Sequence, residues 1–433
     1  MEWTPTPTGD DDARIGPARR WRSHAGHGPS FGPHRLSAGR GSGSASASAS
    51  PPFPRFAPMD DDTDDNRPTP VPGPAADFPV RTSSNRLVEL DGADGEGGGQ
   101  ILRTALTLAM LTGRPFRISR IRANRDRPGL RPQHRSAVMA AARLSGATVQ
   151  GATVGSQALT FRPRPFEPTD LDIDIGTAGS TGLVLQTLAL PIALRAGHGV
   201  RVSLTGGTFN TKAPSYPFLD RTWRAYLDRM GLPLALAMPE AGFYPQGGGR
   251  LDAWIEPGRP RPWVAERRGA LTRISGVAGT CKLDRRQVAE RMRDRAVALL
   301  GEAGIDAEVA IDLAQWPGPS PGAAIALVLE HDGEAPPSTF VGLGARGKPA
   351  EEVAAEAVAE LLDHLHAPGL GAVDPHSADQ LVLPLALAEG RSLFTVSRVT
   401  EHLRTNIRTI AAFLDRRIVL EEPDDGPGRV IVG

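Results

Sequence analysis

Three times along this chain a glycine-rich or polar turn leads into an apolar helix that carries a glutamine: at Gly99-Gln100-Ile101, from Gly179 to Gln186, and at Asp379-Gln380-Leu381. A second, more polar helical pattern follows each copy, over Gln133–Leu144, Phe218–Met230 and His402–Leu414. Short β-prone segments come next, such as Thr148-Val149-Gln150 and Arg417-Ile418-Val419. This weak internal repeat constrains the fold more than any single motif, because like sequence units fold as like α/β modules. The first two copies lie about 80 residues apart and the third starts about 200 residues after the second, so an insertion interrupts the third unit. Residues 266–370 are the expected insert. They hold a strand-like Thr272-Arg273-Ile274, a charged helix near Arg285–Leu300, a strand at Ala323–Leu329 and a helix near Glu351–His364, a βαββα-like order that reads as a small α/β unit.

Ahead of the repeats, residues 1–84 are rich in Pro, Gly, Ser and Asp, with a Ser-Ala alternation from Ser42 to Ser50 and an acidic run at Asp60–Asp65. Such a segment buries too little apolar surface to offset the entropy of ordering, and it predicts a disordered extension. Met59 offers an alternative start. Glu2 follows the first Met and no apolar stretch succeeds it, so a secretory leader is not expected. The longest apolar runs, such as Leu183 to Leu194, are too short for a bilayer and carry Gln186 and Pro191, so no membrane association is expected.

Lys+Arg and Asp+Glu both number 49, so any polyanion site must be a local patch. Cys281 is the only cysteine, which excludes an internal disulfide, a Cys-based zinc site and a CxxC redox pair. That suits a reducing, cytoplasmic setting.

The stretch from Asp91 to Arg103 sets Glu96 among five glycines just before an apolar helix. Glycines let a ligand approach the main chain, and the helix turns its free N–H groups toward whatever occupies the turn. Glu96 stands where it could hold a divalent cation beside a phosphate. The turn matches neither the Walker pattern nor the dinucleotide fingerprint. The plain alternative is a glycine hairpin ahead of a core helix. Downstream, Arg103, Arg122, Arg125, Arg127, Arg131 and Arg135 cluster with Gln133 and His134. Arginine forks match phosphate geometry and keep their charge, although a basic run is usually a solvated loop. Pro128-Gly129 breaks any helix here, so the arginines are expected on a loop beside the glycine turn.

These motifs, in this order, resemble the RNA 3′-terminal phosphate cyclase family of bacterial and archaeal type. The resemblance is carried by the glycine turn and Arg122–His134, Gly176-Thr177-Ala178-Gly179-Ser180 with Gln186, and Gly206-Gly207-Thr208 with Asn210 and Ala213-Pro214. It continues through Gly242-Phe243-Tyr244-Pro245 with Gly247-Gly248-Gly249, Ala378-Asp379-Gln380-Leu381-Val382-Leu383-Pro384, and His402 with Thr405-Asn406-Ile407. It runs from about Leu87 to the C-terminus. The resemblance implies an α/β (α+β) fold: a large domain of three units like the C-terminal domain of translation initiation factor 3, over residues 85–265 and 371–433, with a smaller α/β domain, 266–370, inserted in the third.

It also implies an ATP-dependent ligase that converts an RNA 3′-terminal phosphate to a 2′,3′-cyclic phosphate, with Mg²⁺ or Mn²⁺. His402 would be the adenylylated residue; a neutral imidazole can attack phosphorus, whereas a helical histidine taken alone is more often a surface or capping residue. Asp379, with a plain role as an N-cap, would lie near the nucleotide and the histidine. Gln186, Pro214, His376, Ser377, Ala378 and Gln380 would complete the ATP site, His376 standing where relatives often carry a base-stacking tyrosine. Arg103, Arg122, Arg125, Gln133 and His134 would hold phosphate or RNA, and Glu96 the metal. Glu401 and Arg404 flank His402 where bacterial relatives have uncharged residues; they would pair locally or tune the imidazole. The partner would be RNA with a 3′-phosphate, and a homodimer stays open.

Two other readings share the repeats. Ribosome-assembly relatives of this fold, inactive or divergent, lack the nucleophilic histidine. Enolpyruvyl transferases lack the glycine turn and the His402 segment.

Overall fold

The computed structural model describes residues 86–95, 99–283, 287–424 and 426–433. The N-terminal extension and Glu96 therefore lie outside the described residues. The first unit runs β1 (Val88–Asp91), α1 (Gln100–Thr112), β2 (Phe116–Ser119), α2 (Pro132–Ser145), β3 (Thr148–Gln150) and β4 (Leu159–Arg162). Its sheet has the order β1-β2-β4-β3, with β1 parallel to β2 and the other pairs antiparallel. A parallel pair needs a helical crossover, which α1 supplies. The helix stops where Gly113 takes a left-handed φ of 73° and its N–H bonds back to the Ala109 carbonyl.

The second unit repeats this plan. It runs β5 (Leu171–Asp174), α3 (Thr181–Arg195), β6 (Val200–Gly206), a short α4 (Tyr216–Phe218), a π-helical turn (Leu219–Trp223), α5 (Arg224–Arg229), β7 (Leu234–Glu240) and β8 (Gly249–Ile255). The order is β5-β6-β8-β7, again with only the first pair parallel. The single helix expected over Phe218–Met230 is thus broken by the π turn. Inside it Thr222 leaves the solvent to donate to the Pro337 carbonyl at 2.8 Å, a tertiary bond that helical periodicity cannot reveal.

The third unit starts with β9 (Val264–Ala265) and is then interrupted. The interruption holds β10 (Leu271–Cys281), α6 (Val288–Glu302), β11 (Glu308–Gln315), β12 (Gly322–His331), β13 (Ser338–Leu343) and α7 (Ala350–Leu365). Its order is βαβββα, longer by a strand than the sequence pattern predicts. β11 was hidden because it is a sheet edge: the sheet order is β11-β10-β12-β13, and most of β11 is exposed or half-buried rather than strictly alternating. The third unit resumes with α8 (Pro375–Leu387), β14 (Ser392–Val396), α9 (Glu401–Phe413), β15 (Ile418–Glu421) and β16 (Gly428–Val432). Its sheet, β9-β14-β16-β15, has the strand directions of the first two.

The same βαβαββ plan therefore occurs three times in a mixed α+β chain. The helices of the three units share one apolar core that includes Leu102, Leu106, Leu185, Leu188, Leu381 and Leu403, each under a few per cent exposed. The interrupting sheet has its own core around Ile274, Met292, Leu327 and Leu361. Among the described residues no helix is long and apolar enough to cross a membrane.

Candidate active site

The N-termini of α1, α3 and α8 converge on a cleft of about 1660 Å³. The three repeat glutamines, Gln100, Gln186 and Gln380, all line it, as do Arg103, Pro214, His376, Asp379 and His402. Residues 280 or more positions apart meet because the repeated units present the same helix end to one point. The side-chain amide of Gln186 donates to Gln380, whose own amide donates to the His376 carbonyl at 2.8 Å.

His402 stands in the first turn of α9, capped by the Thr400 hydroxyl, and its imidazole is solvent-exposed. Its Nδ1 lies 2.9 Å from Oε1 of Gln100. The Nε2 of the same amide donates to the Asp379 carboxylate. An ionised carboxylate only accepts, so it takes the amide's N–H and leaves the amide oxygen facing the imidazole. Nδ1 then carries the ring hydrogen and Nε2 the lone pair. Behind this chain Asn406 donates to the Asp379 carbonyl and accepts from the Thr104 hydroxyl at 2.7 Å. Asn406 is buried; removing it would orphan two buried partners, at about 1–3 kcal/mol.

Gln100 and Asn406 were not among the candidate residues, yet they connect the carboxylate to the histidine. A signal existed for each. Gln100 is a polar residue opening an apolar helix, and Asn406 follows His402 by one helical turn.

Asp379 does not cap α8. That role belongs to Asp374, which accepts from the N–H groups of His376 and Ser377 at 2.9 Å each. One turn further on, Asp379 is free to face the cleft. Burial pushes its carboxyl up to about 7, against the opposing pull of His376 and Arg103. Ser377 and Ala378 point elsewhere: the Ser377 hydroxyl donates to Asp374 at 2.6 Å, and Ala378 packs in the core. His376 is about half exposed and faces Glu360 of α7 at 3.7 Å, which raises its pKa.

The arginine cluster does not all lie on a loop. Arg103 sits in α1 and Arg135 in α2, whose first residue, Pro132, restarts a helix beyond the Pro128-Gly129 break. Arg122, in a left-handed conformation (φ 55°), folds the loop by donating to the carbonyls of Arg127 at 2.7 Å and Gly129 at 3.3 Å. Asn124 ties the loop to the glycine turn through the Ala93 carbonyl at 2.9 Å. Asp94 ties that turn to α9 through Arg408 at 2.8 Å. The glycine turn is therefore held between the arginine loop and the histidine helix.

His134 is buried, and its Nδ1 accepts the Arg131 N–H at 3.1 Å. Burial, with Arg103, Arg122 and Arg131 around it, pushes its pKa down to about 3, so it is neutral at physiological pH. Arg103 is lowered to about 10 by burial, with Asp379 opposing. Gly99 makes this crowding feasible: a Cβ there would stand 2.3 Å from Nε2 of His134 and 2.7 Å from Nη1 of Arg103. The cluster of positive charge meets the cleft through Arg103, whereas Arg122, Arg125, Gln133 and His134 stand outside its lining. Glu401 pairs with Arg404 at 2.8 Å, and Arg404 also binds Glu422, so the flanking charges satisfy one another. Among the described residues no group of three His, Cys, Asp or Glu is arranged to hold a metal ion.

A buried carboxylate, an oriented imidazole and an adjoining arginine cluster suit chemistry on a phosphorus centre. The sequence pattern described as RNA 3′-terminal phosphate cyclase matches residues 94–420. The chain belongs to that family. It is 47% identical over 350 residues to an RNA 3′-terminal phosphate cyclase of Ralstonia nicotianae, spanning 79% of this chain and 97% of that one. Cyclases of Pyrobaculum neutrophilum (42% identical, 79% of this chain, 97% of that one) and Pseudomonas fluorescens (45%, 77% and 94%) are similarly alike. The family match thus spans all three repeats and the interrupting sheet.

Proposed function

We propose that this family member is an ATP-dependent RNA 3′-terminal phosphate cyclase of the ligase class, working in the cytoplasm on RNA that ends in a 3′-phosphate. The relay Asp379–Gln100–His402 carries the reading, because it leaves the Nε2 lone pair of His402 as a nucleophile. Nε2 attacks the α-phosphorus of ATP, the bond to the bridging oxygen breaks, and pyrophosphate leaves. A 3′-phosphate oxygen of the RNA then displaces His402 from the AMP phosphorus, giving a phosphoanhydride. The neighbouring 2′-hydroxyl attacks the 3′-phosphorus, closes the cyclic phosphate and expels AMP.

Gln186, Gln380, Pro214 and His376 would hold the nucleoside end. Ser377 and Ala378 would act through the backbone of the α8 start. Arg103, Arg122 and Arg125, with Gln133 and the neutral His134, would hold phosphate, offsetting its charge with preorganised groups. Glu96 is the carboxylate we assign to Mg²⁺ or Mn²⁺, which when bound would neutralise phosphate charge. We take residues 85–265 and 371–433 as the catalytic domain and 266–370 as an inserted domain. The thrice-repeated βαβαββ plan supports likeness to the C-terminal domain of translation initiation factor 3.

An inactive ribosome-assembly role is disfavoured by the presence of His402. The test is protein-bound AMP. The unmodified chain, given α-labelled ATP and metal, should form an acid-labile protein-AMP. His402→Ala and His402→Asn should fold but form none, and should cyclise no 3′-phosphate with ATP. RNA already carrying AMP on its 3′-phosphate should restore some cyclisation to His402→Ala. Labelled protein-AMP in that variant at the wild-type rate would assign the nucleophile to another residue.

A further inference from the structure

Tyr244 is exceptional in a chain with only 5% aromatic residues. It is 80% exposed, and among the described residues no other Phe, Trp or Tyr is exposed. It also lines the cleft that contains His402. The backbone beneath it is held from several sides. Phe243 stacks on Phe209 with centroids 4.8 Å apart and rings within 2° of parallel. The Phe243 N–H donates to the Ser320 hydroxyl at 2.7 Å, and its carbonyl accepts from Gly247 at 2.7 Å. Gly322 clears room for the Phe243 ring, since a Cβ there would stand 2.1 Å from it. An aromatic face on such a base is preorganised to stack on another flat ring, which needs no particular sequence.

The cations of this part of the cleft fall into two groups. Arg291 and Lys348 are paired, with Glu351 and Glu356. Lys212 and Arg346 are exposed, line the same cleft, and have no hydrogen-bond or ion-pair partner among the described residues. Lys212 is held in a left-handed conformation, φ 58°, between Asn210 and Pro214. Uncompensated positive charge beside an exposed aromatic face fits a strand of bases and phosphates. The cleft also has room: about 1660 Å³, against roughly 300–1,000 Å³ for a small-molecule site.

We propose that the stretch of cleft from Tyr244 to Arg346 is a subsite for the single-stranded RNA leading to the reacting end. Tyr244 stacks on a nucleobase, and Lys212 and Arg346 take backbone phosphates. The inference rests on the cyclase reading for the identity of the strand.

Its test is direct binding of a 5′-fluorescent ten-nucleotide RNA with a 3′-phosphate to the full chain, without ATP, followed by anisotropy. Tyr244→Ala should raise Kd about ten-fold, and Tyr244→Phe should stay within about two-fold, because the ring face does the binding. Replacing Lys212 and Arg346 together by Ala should reduce the slope of log Kd against log salt by about one. Equal binding by Tyr244→Ala and the unmodified chain overturns the proposal, as does an equal loss in Tyr244→Phe or no binding by the unmodified chain. Protein-AMP formation without RNA tests the parent reading separately. Its failure alongside a ten-fold loss in Tyr244→Ala would keep the RNA subsite and sink the chemistry.

Discussion

Asp379 and His402 meet through one side chain, the amide of Gln100, which donates to the carboxylate and lies 2.9 Å from the imidazole Nδ1. The protonation of Asp379 therefore sets which way the amide points, and the amide sets which imidazole nitrogen holds the lone pair. An ionised Asp379 leaves the lone pair on Nε2. A protonated Asp379 can donate to the amide oxygen, turn the amide N–H toward Nδ1 and move the ring hydrogen to Nε2.

Because burial pushes Asp379 up to about 7, the rate of protein-AMP formation should rise with pH through about 7. In Asp379→Asn the amide offers an acceptor at every pH, so that inflection should vanish. Rapid-quench measurement with labelled ATP across neutral pH checks this. An inflection unchanged in Asp379→Asn would remove Asp379 from control of the tautomer.

The same shift bears on stability. The folded pKa of Asp379, about 7, lies above its ordinary value of 3.8. Between those values the native state holds a proton that the unfolded chain has released, so stability falls as pH rises through the window. Asp379→Asn should therefore melt higher than the unmodified chain at pH about 8, by a few degrees, and the gain should shrink toward pH about 4. Calorimetry at both pH values decides it, and a gain equal at both would point to packing instead.

The arginine loop should read phosphate and not base. Arg122→Ala or Arg125→Ala should lower cyclisation about ten-fold or more to a similar degree for RNAs ending in each of the four bases. Arg122→Ala should in addition loosen the loop, because Arg122 closes it on the carbonyls of Arg127 and Gly129. Kinetics with the four substrates test the role; a defect confined to one terminal base would refute it.

Residues 1–84 should be dispensable. Their Pro, Gly, Ser and Asp content adds little to any core. A chain lacking them should cyclise a 3′-phosphate RNA near the full-length rate. A ten-fold loss in a folded truncation would give the extension a part in the reaction.

Local pattern carried much of the architecture. Glutamine-bearing apolar helices and their spacing announced three units and an interruption, because helix periodicity and turn residues are properties of neighbouring positions. The same local chemistry marked His402, Asp379 and the arginines as candidates. What local pattern missed were contacts made only across units. Asp379 was open to an N-cap role until Asp374 took it, β11 lost its signature at a sheet edge, and the π turn answers a hydrogen bond from Thr222 to Pro337.

The sequence by itself determined which residue types were available for phosphate chemistry, and that like modules would carry them. Tertiary structure alone decided how they act together. Gln100 and His402 are 302 positions apart and Gln186 and Gln380 are 194 apart, and no local preference encodes such distances. Only the burial of three amphipathic helix faces against one another forces their polar ends to one cleft. That burial then sets the charge of Asp379 and the neutrality of His134.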